Sequence, residues 1–128
     1  MTGREEVHVP GRPVLSHSAD AVRGGDALFV AGILPIDAEG RLVGGDDVVE
    51  QARFVFAELG RILGAAGATH NEVAKVTVFL TDVDDRPKIN PVRQDVFGSA
   101  RPASTLVEVS GLAVPGALIE VDAIAVLP

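Results

Sequence analysis

Cysteine, tryptophan and tyrosine are all missing from this chain of 128 residues. The lack of cysteine excludes disulfides, thiolate-held zinc, iron–sulfur clusters and a thiol nucleophile. Only five Phe remain as aromatic side chains, so there is little on which the bases of a single nucleic-acid strand can stack. Basic residues are also scarce, 11 against 18 acids, for a net charge of −7. That surface repels a phosphate backbone, and no nucleic-acid partner is expected. Three His are too few for a His-built metal site, and neither a metal nor a cofactor is expected. There is no basic start followed by an apolar run, and the apolar runs are only strand-length. No membrane partner is expected, and the expected location is cytoplasmic.

What is present is ordinary for a folded domain. Apolar residues make up 47% and charged residues 23%, with a mean hydropathy of +0.30. Residues 1–128 are long enough for one domain with a real core. Residues 1–18, punctuated by Pro10, Gly11 and Pro13, read as a polar N-terminal arm on its surface.

Local patterning predicts the elements. Ala19 to Arg23 is a short strand turned at Gly24-Gly25-Asp26, and Ala27 to Ile33 is an apolar strand. Asp37 to Gly45 is a loop. Asp47, with Glu50 three residues on, resembles a capping box. After it Val48, Ala52, Val55, Phe56, Leu59, Ile62, Leu63 and Ala66 recur at helical spacing up to Gly67. Val73 to Thr81 alternates as a strand. Asp84 or Asp85 then caps a second helix with Pro87 in its first turn, an apolar stripe of Ile89, Val92, Val96 and Phe97, and Gly98 at its end. Ala103 to Val109 and Ala117 to Leu127 are strands, separated by a turn segment at Ser110 to Gly116. The order β-β-α-β-α-β-β is an α+β class: a mixed sheet with both helices on one face, joined by right-handed crossovers. The other face, apolar in part, needs a cover, and self-association is the simplest one.

Few residues suggest chemistry by themselves. The Gly24-Gly25 and Gly44-Gly45 pairs are turns and open no phosphate-binding helix. Glu120 stands inside an otherwise apolar strand, where a carboxyl in a cleft is suited to general acid–base work. A solvated strand face that also carries Glu108 and Asp122 is the plainer alternative. Asn90 lies within the second helix and either presents its amide to a cleft or faces solvent. Ser104 and Thr105 have no His or Lys near them in sequence to activate them, which disfavours a serine nucleophile. Arg93 and Arg101 are suited to holding a carboxylate bidentately, or to surface ion pairs. His17 is a loop histidine available as a proton carrier.

Longer strings of residues carry a resemblance. They are Ala21-Val22-Arg23-Gly24-Gly25-Asp26-Ala27-Leu28-Phe29-Val30-Ala31-Gly32, Gln51-Ala52-Arg53, Val76-Thr77-Val78-Phe79-Leu80-Thr81-Asp82, Asn90, Arg101-Pro102-Ala103-Ser104-Thr105-Leu106-Val107-Glu108-Val109 and Ile119-Glu120-Val121-Asp122-Ala123-Ile124-Ala125. As a set, from about Ser16 to Leu127, they resemble the RidA/YjgF family of enamine/imine deaminases, some members of which are described as endoribonucleases. The resemblance implies a chorismate-mutase-like fold and a barrel-like homotrimer with a small-molecule cleft between subunits. It also implies cofactor-free hydrolysis of a reactive enamine or imine to a keto acid and ammonia. The family's water-positioning Glu falls on Glu120, its Asn on Asn90 and its pocket Gly on Gly32. The strand Arg that binds the substrate carboxylate does not match: Pro-Ala-Arg-Ser/Thr reads Pro102-Ala103-Ser104-Thr105 here. The arm Tyr is replaced by Ser18, and Leu106 stands where a backbone amide helps to hold the carboxylate. The loss of Arg implies an altered substrate preference, toward neutral or cationic ligands unless Arg93 or Arg101 reaches the cleft. A non-catalytic trimeric binding or regulatory protein is the alternative, and an endoribonuclease is a weaker one.

Overall fold

The computed structural model describes residues 3–128. Its elements are β1 (Arg4–Val7), β2 (Ala21–Gly24), β3 (Ala27–Ile33), α1 (Val48–Ala65), β4 (Val73–Leu80), α2 (Arg86–Phe97), β5 (Ala103–Glu108) and β6 (Ile119–Val126). They form one sheet in the order β1-β2-β3-β6-β4-β5. Only β4 and β5 pair in parallel, and β6 lies antiparallel between β3 and β4. This is the mixed sheet with two helices that the patterning predicts.

One strand departs from the expected order. Residues 4–7 of the arm are β1, paired to β2 from Arg4↔Gly24 to Val7↔Ala21. Arg-Glu-Glu-Val has no alternating apolar signal, and the strand is held by backbone bonds to the free edge of β2. Its exposed charges block further pairing along that edge.

Helix α1 supplies the core. Val48, Ala52, Val55, Phe56, Leu59, Ile62 and Leu63 are all buried against Leu28, Ile33, Val76, Val78, Val121 and Ala125 of the sheet. Asp47 caps the helix, accepting from Val49 N at 2.9 Å and from Glu50 N at 3.4 Å. The reciprocal half of the predicted box does not form. Asp47 N already donates to Gly44 O at 3.0 Å, and Glu50 turns to Arg53 at 3.7 Å. A complete capping box stands instead at Thr69 and Glu72, in a short turn that leads into β4. Asp85 does occupy the N-cap of α2, but its carboxylate is engaged by Lys88 at 3.0 Å and caps nothing. Asp82 caps the preceding turn by accepting from Asp84 N at 2.9 Å.

Gln51 is buried in α1 with every polar atom used. It donates to Gly45 O at 2.7 Å and Gly116 O at 3.0 Å, and accepts from Leu118 N at 2.8 Å. This one side chain ties the loop before α1 to the segment before β6. Gly44 and Gly45, with φ of 91° and 57°, make the turn that brings the first loop to it. Among the described residues, no helix is long and apolar enough to cross a membrane.

Candidate functional site

Glu120 lies on the face of the sheet that the helices leave open. Strand alternation puts Ile119, Val121 and Ala123 into the core and Glu120 and Asp122 outward. Glu120 pairs across with Phe79 of β4. On its other side the β3–β6 register slips between Val30 and Ile33, and there Gly32 comes close. A Cβ at Gly32 would stand 2.0 Å from Glu120 Oε2. A side chain at this position would therefore displace the Glu120 carboxylate. Glu120 makes no hydrogen bond among the described residues. Burial, and after it the carboxylate of Asp122, raises its carboxyl above the ordinary value.

Glu120 and Gly32 line a cleft of about 480 Å³ with Ser18, Ala31, Leu34 and Ala113. The arm forms one wall and is firmly tied down. Val9 N donates to Asp20 Oδ2 at 2.7 Å, Arg12 Nη1 to Glu58 Oε2 at 2.8 Å, and Arg61 Nη2 to Pro10 O at 2.8 Å. Burial pushes the Glu58 carboxyl up, but bonds from Arg12 and Arg61 outweigh it and hold the group below the ordinary range. Sequence reasoning missed this anchor: Glu58 reads as one more acid on a helix, and Arg12 lies far from it along the chain. His17 faces a neighbouring groove with Ser16, Val22 and Phe29, not the Glu120 cleft. His8 lines the Glu120 cleft instead.

The remaining candidates gather elsewhere. Ser104 and Leu106 pair with Val76 and Val78 and share their side of the sheet, the side of the helices. They line a groove of about 440 Å³ with Val83, Arg86 and Arg93. Arg93 Nη2 donates to Ser104 Oγ. Asn90, Arg93 and Arg101 line an adjoining groove against Phe97 and Pro102. Thr105 points to the open face, where Lys75 Nζ donates to its hydroxyl at 2.7 Å. The fold thus brings a lysine to Thr105 from 30 residues away, a contact with no trace in the local sequence.

The candidates therefore form two half-sites. Ser18, Gly32 and Glu120 are on the open face; Asn90, Arg93, Ser104 and Leu106 are on the helix side, near the β5 edge. Within one chain they do not meet. Among the described residues no three His, Asp or Glu side chains converge on a point where a metal would sit.

The sequence matches the family described as endoribonuclease L-PSP over residues 11–127. It is 44% identical over 115 residues to a RutC family protein of Pyrococcus abyssi, covering 89% of this chain and 88% of that one. It is 36% identical over 113 residues to the 3-aminoacrylate deaminase RutC of Acinetobacter baylyi, covering 88% and 89%. The crystal structure of RidA from an Antarctic Psychrobacter superposes with a TM-score of 0.88 at 29% identity, covering 96% of this chain and 99% of that one.

Proposed function

The chain belongs to the RidA/YjgF family, the one described as endoribonuclease L-PSP, and on that premise we propose that it hydrolyses a reactive enamine or imine in a cleft completed by a second copy of itself. The observation that carries the reading is Glu120: a half-buried carboxyl with a raised pKa, seated in the space that the missing Cβ of Gly32 leaves open. A carboxyl tuned upward holds a proton more readily than an exposed one and is the better suited to take and return it. The relative that acts on 3-aminoacrylate lends support, because an enamine and its imine interconvert by one proton shift.

The chemistry balances without a redox partner. Glu120 accepts a proton from water as the oxygen adds to the C=N carbon. Starting from the protonated imine, the neutral carbinolamine so formed takes that proton on nitrogen, the C–N bond breaks with release of ammonia, and the hydroxyl proton passes to the Glu120 carboxylate as the carbonyl forms. Glu120 serves as base, then as acid, then as base again, and no cofactor is invoked.

The second copy enters because the half-sites lie on opposite faces. The open face also carries exposed apolar side chains: Phe29 at 50%, Ile124 at 37% and Val126 at 56% exposure. Phe29 pairs directly with Ile124, so the apolar surface is continuous and suited to burial against another subunit. A homotrimer in which each cleft takes Glu120 from one chain and Ser104 from the next satisfies both facts.

The test uses an amino-acid oxidase to generate imines, with semicarbazide to trap the free imine. The native protein is expected to lower the semicarbazone yield. Glu120→Gln should lose roughly 10²- to 10⁴-fold of that rate. Equal rates for the two proteins would overturn the reading, and ligand binding without turnover would favour a non-catalytic binding protein.

A further inference from the structure

Ion pairing in this protein is partial: among the described residues Arg23, Lys75, Arg86, Arg93 and Arg101 face no carboxylate. Arg12, Arg41, Arg53, Arg61 and Lys88 each face a carboxylate. Arg93 faces none among the described residues, although it is half-buried. Its surroundings are Leu106, Val83 and the hydroxyl of Ser104, with Arg86 in the same groove. Arg86 lies seven residues earlier on α2, two turns away on the same helix face. Three nearby acids are turned elsewhere. Asp85 binds Lys88, Asp82 accepts from Asp84 N, and Glu108 accepts from Val83 N at 2.9 Å.

A guanidinium offers five N–H donors in a planar fork. Here one of them is spent on Ser104 Oγ. Burying such a group with no anion is costly, and burial followed by the Arg86 charge lowers the Arg93 pKa. The hydroxyl of Ser104 fixes the fork in the groove without neutralising it.

We infer that Arg93 is the carboxylate-binding residue of the ligand site, with Ser104 as its positioning residue. The cation comes from the helix, across the groove, and its head rests where strand residue 104 begins. Ser104 is then a seat for the guanidinium, and Arg86 adds a second positive charge at the mouth of the groove. The ligand class follows: an enamine or imine that bears a carboxylate, in preference to a neutral or cationic one. This rests on the deaminase reading for its substrate, but its binding test does not.

Binding of 2-oxobutanoate and of its uncharged methyl ester is measured by calorimetry. The native protein is expected to bind the acid at least ~10-fold more tightly than the ester. Arg93→Gln should remove that preference, and Arg93→Lys should restore part of it. A double variant, Arg93→Gln with Ser104→Arg, should restore it by moving the cation from helix to strand. Equal affinity of the native protein for acid and ester, or an unchanged preference in Arg93→Gln, overturns the assignment. The oxidase assay run on the same proteins separates the two readings. An Arg93-dependent acid preference with no imine turnover keeps the carboxylate site and sinks the deaminase. Imine turnover that is equal in native and Arg93→Gln protein does the reverse.

Discussion

At Gly32 the requirement is clearance, and it makes a sharp prediction. An added Cβ would meet the Glu120 carboxylate at 2.0 Å, the carboxyl carbon at 3.0 Å and the methylene beyond at 3.5 Å. The clash is with the far end of a flexible side chain, so the carboxylate swings away while the backbone stays. Gly32→Ala should leave the melting temperature unchanged or slightly raised, because alanine costs the strand less entropy than glycine. Its imine hydrolysis should fall by roughly 100-fold, the usual effect of displacing a catalytic group by about 1 Å. Thermal melts and the trapping assay on one preparation check both halves. A large loss of stability with full activity would show that the contact serves packing.

The arm and helix α1 are joined by charge, and that junction titrates. Glu58 is held below its ordinary value of 4.5 because the bonds from Arg12 and Arg61 outweigh its burial. A depressed carboxyl stabilises the folded state fully above its unfolded value. That contribution is lost as pH falls through the lower folded value. Glu58→Gln should therefore cost about 1–3 kcal/mol at pH 7, an amount moderated by the partial exposure of the group. The difference from the native protein should shrink as pH falls below 4.5 and through the lower folded value. Urea midpoints at pH 7 and pH 3 measure it, and a constant difference would place the effect in packing.

The same elements show what a sequence can and cannot reveal. Helix α1 was legible because its apolar residues repeat at one period and one acid caps it. Strand β4 was legible because Val76, Val78 and Leu80 alternate with Lys75, Thr77 and Phe79. Strand β1 was hidden, since an edge strand is chosen by a free neighbour and not by its own side chains. The Thr69–Glu72 box escaped notice because it opens only a single turn. In the site, Glu120 and Gly32 were legible through their place in a familiar string. The bond from Arg93 to Ser104 was not, because it joins a helix to a strand 11 residues on through the packing of α2 beside β5. The Gln51 staple was equally silent, as a buried amide looks in sequence like any exposed helix residue.

For the whole molecule, charge and shape bear on different alternatives. A net charge of −7 opposes association with RNA. Shape bears on assembly. A ring of three chains, each giving one patch and receiving a different one, closes without a two-fold axis. In such a ring every cleft takes its Glu120 from one chain and its Ser104 from the next. Two inactive variants should then complement each other. Glu120→Gln disables the open-face half; Ser104→Glu, at an exposed strand edge, blocks the helix-side half with a like charge for any acidic ligand. Each alone is expected to be inactive. Unfolded together in equal amounts and refolded, they form mixed rings in which both intact halves meet at about one cleft in four, a chance of one half for each side. The mixture should recover about a quarter of native activity, while the same proteins mixed without unfolding should recover it only as fast as subunits exchange. No recovery after co-refolding, in rings shown by light scattering to be mixed trimers, would place both halves of the site in a single chain. That outcome would require α2 and β6 to approach each other around the β5 edge, which the strand order β3-β6-β4-β5 does not allow without breaking the ladder between β4 and β6.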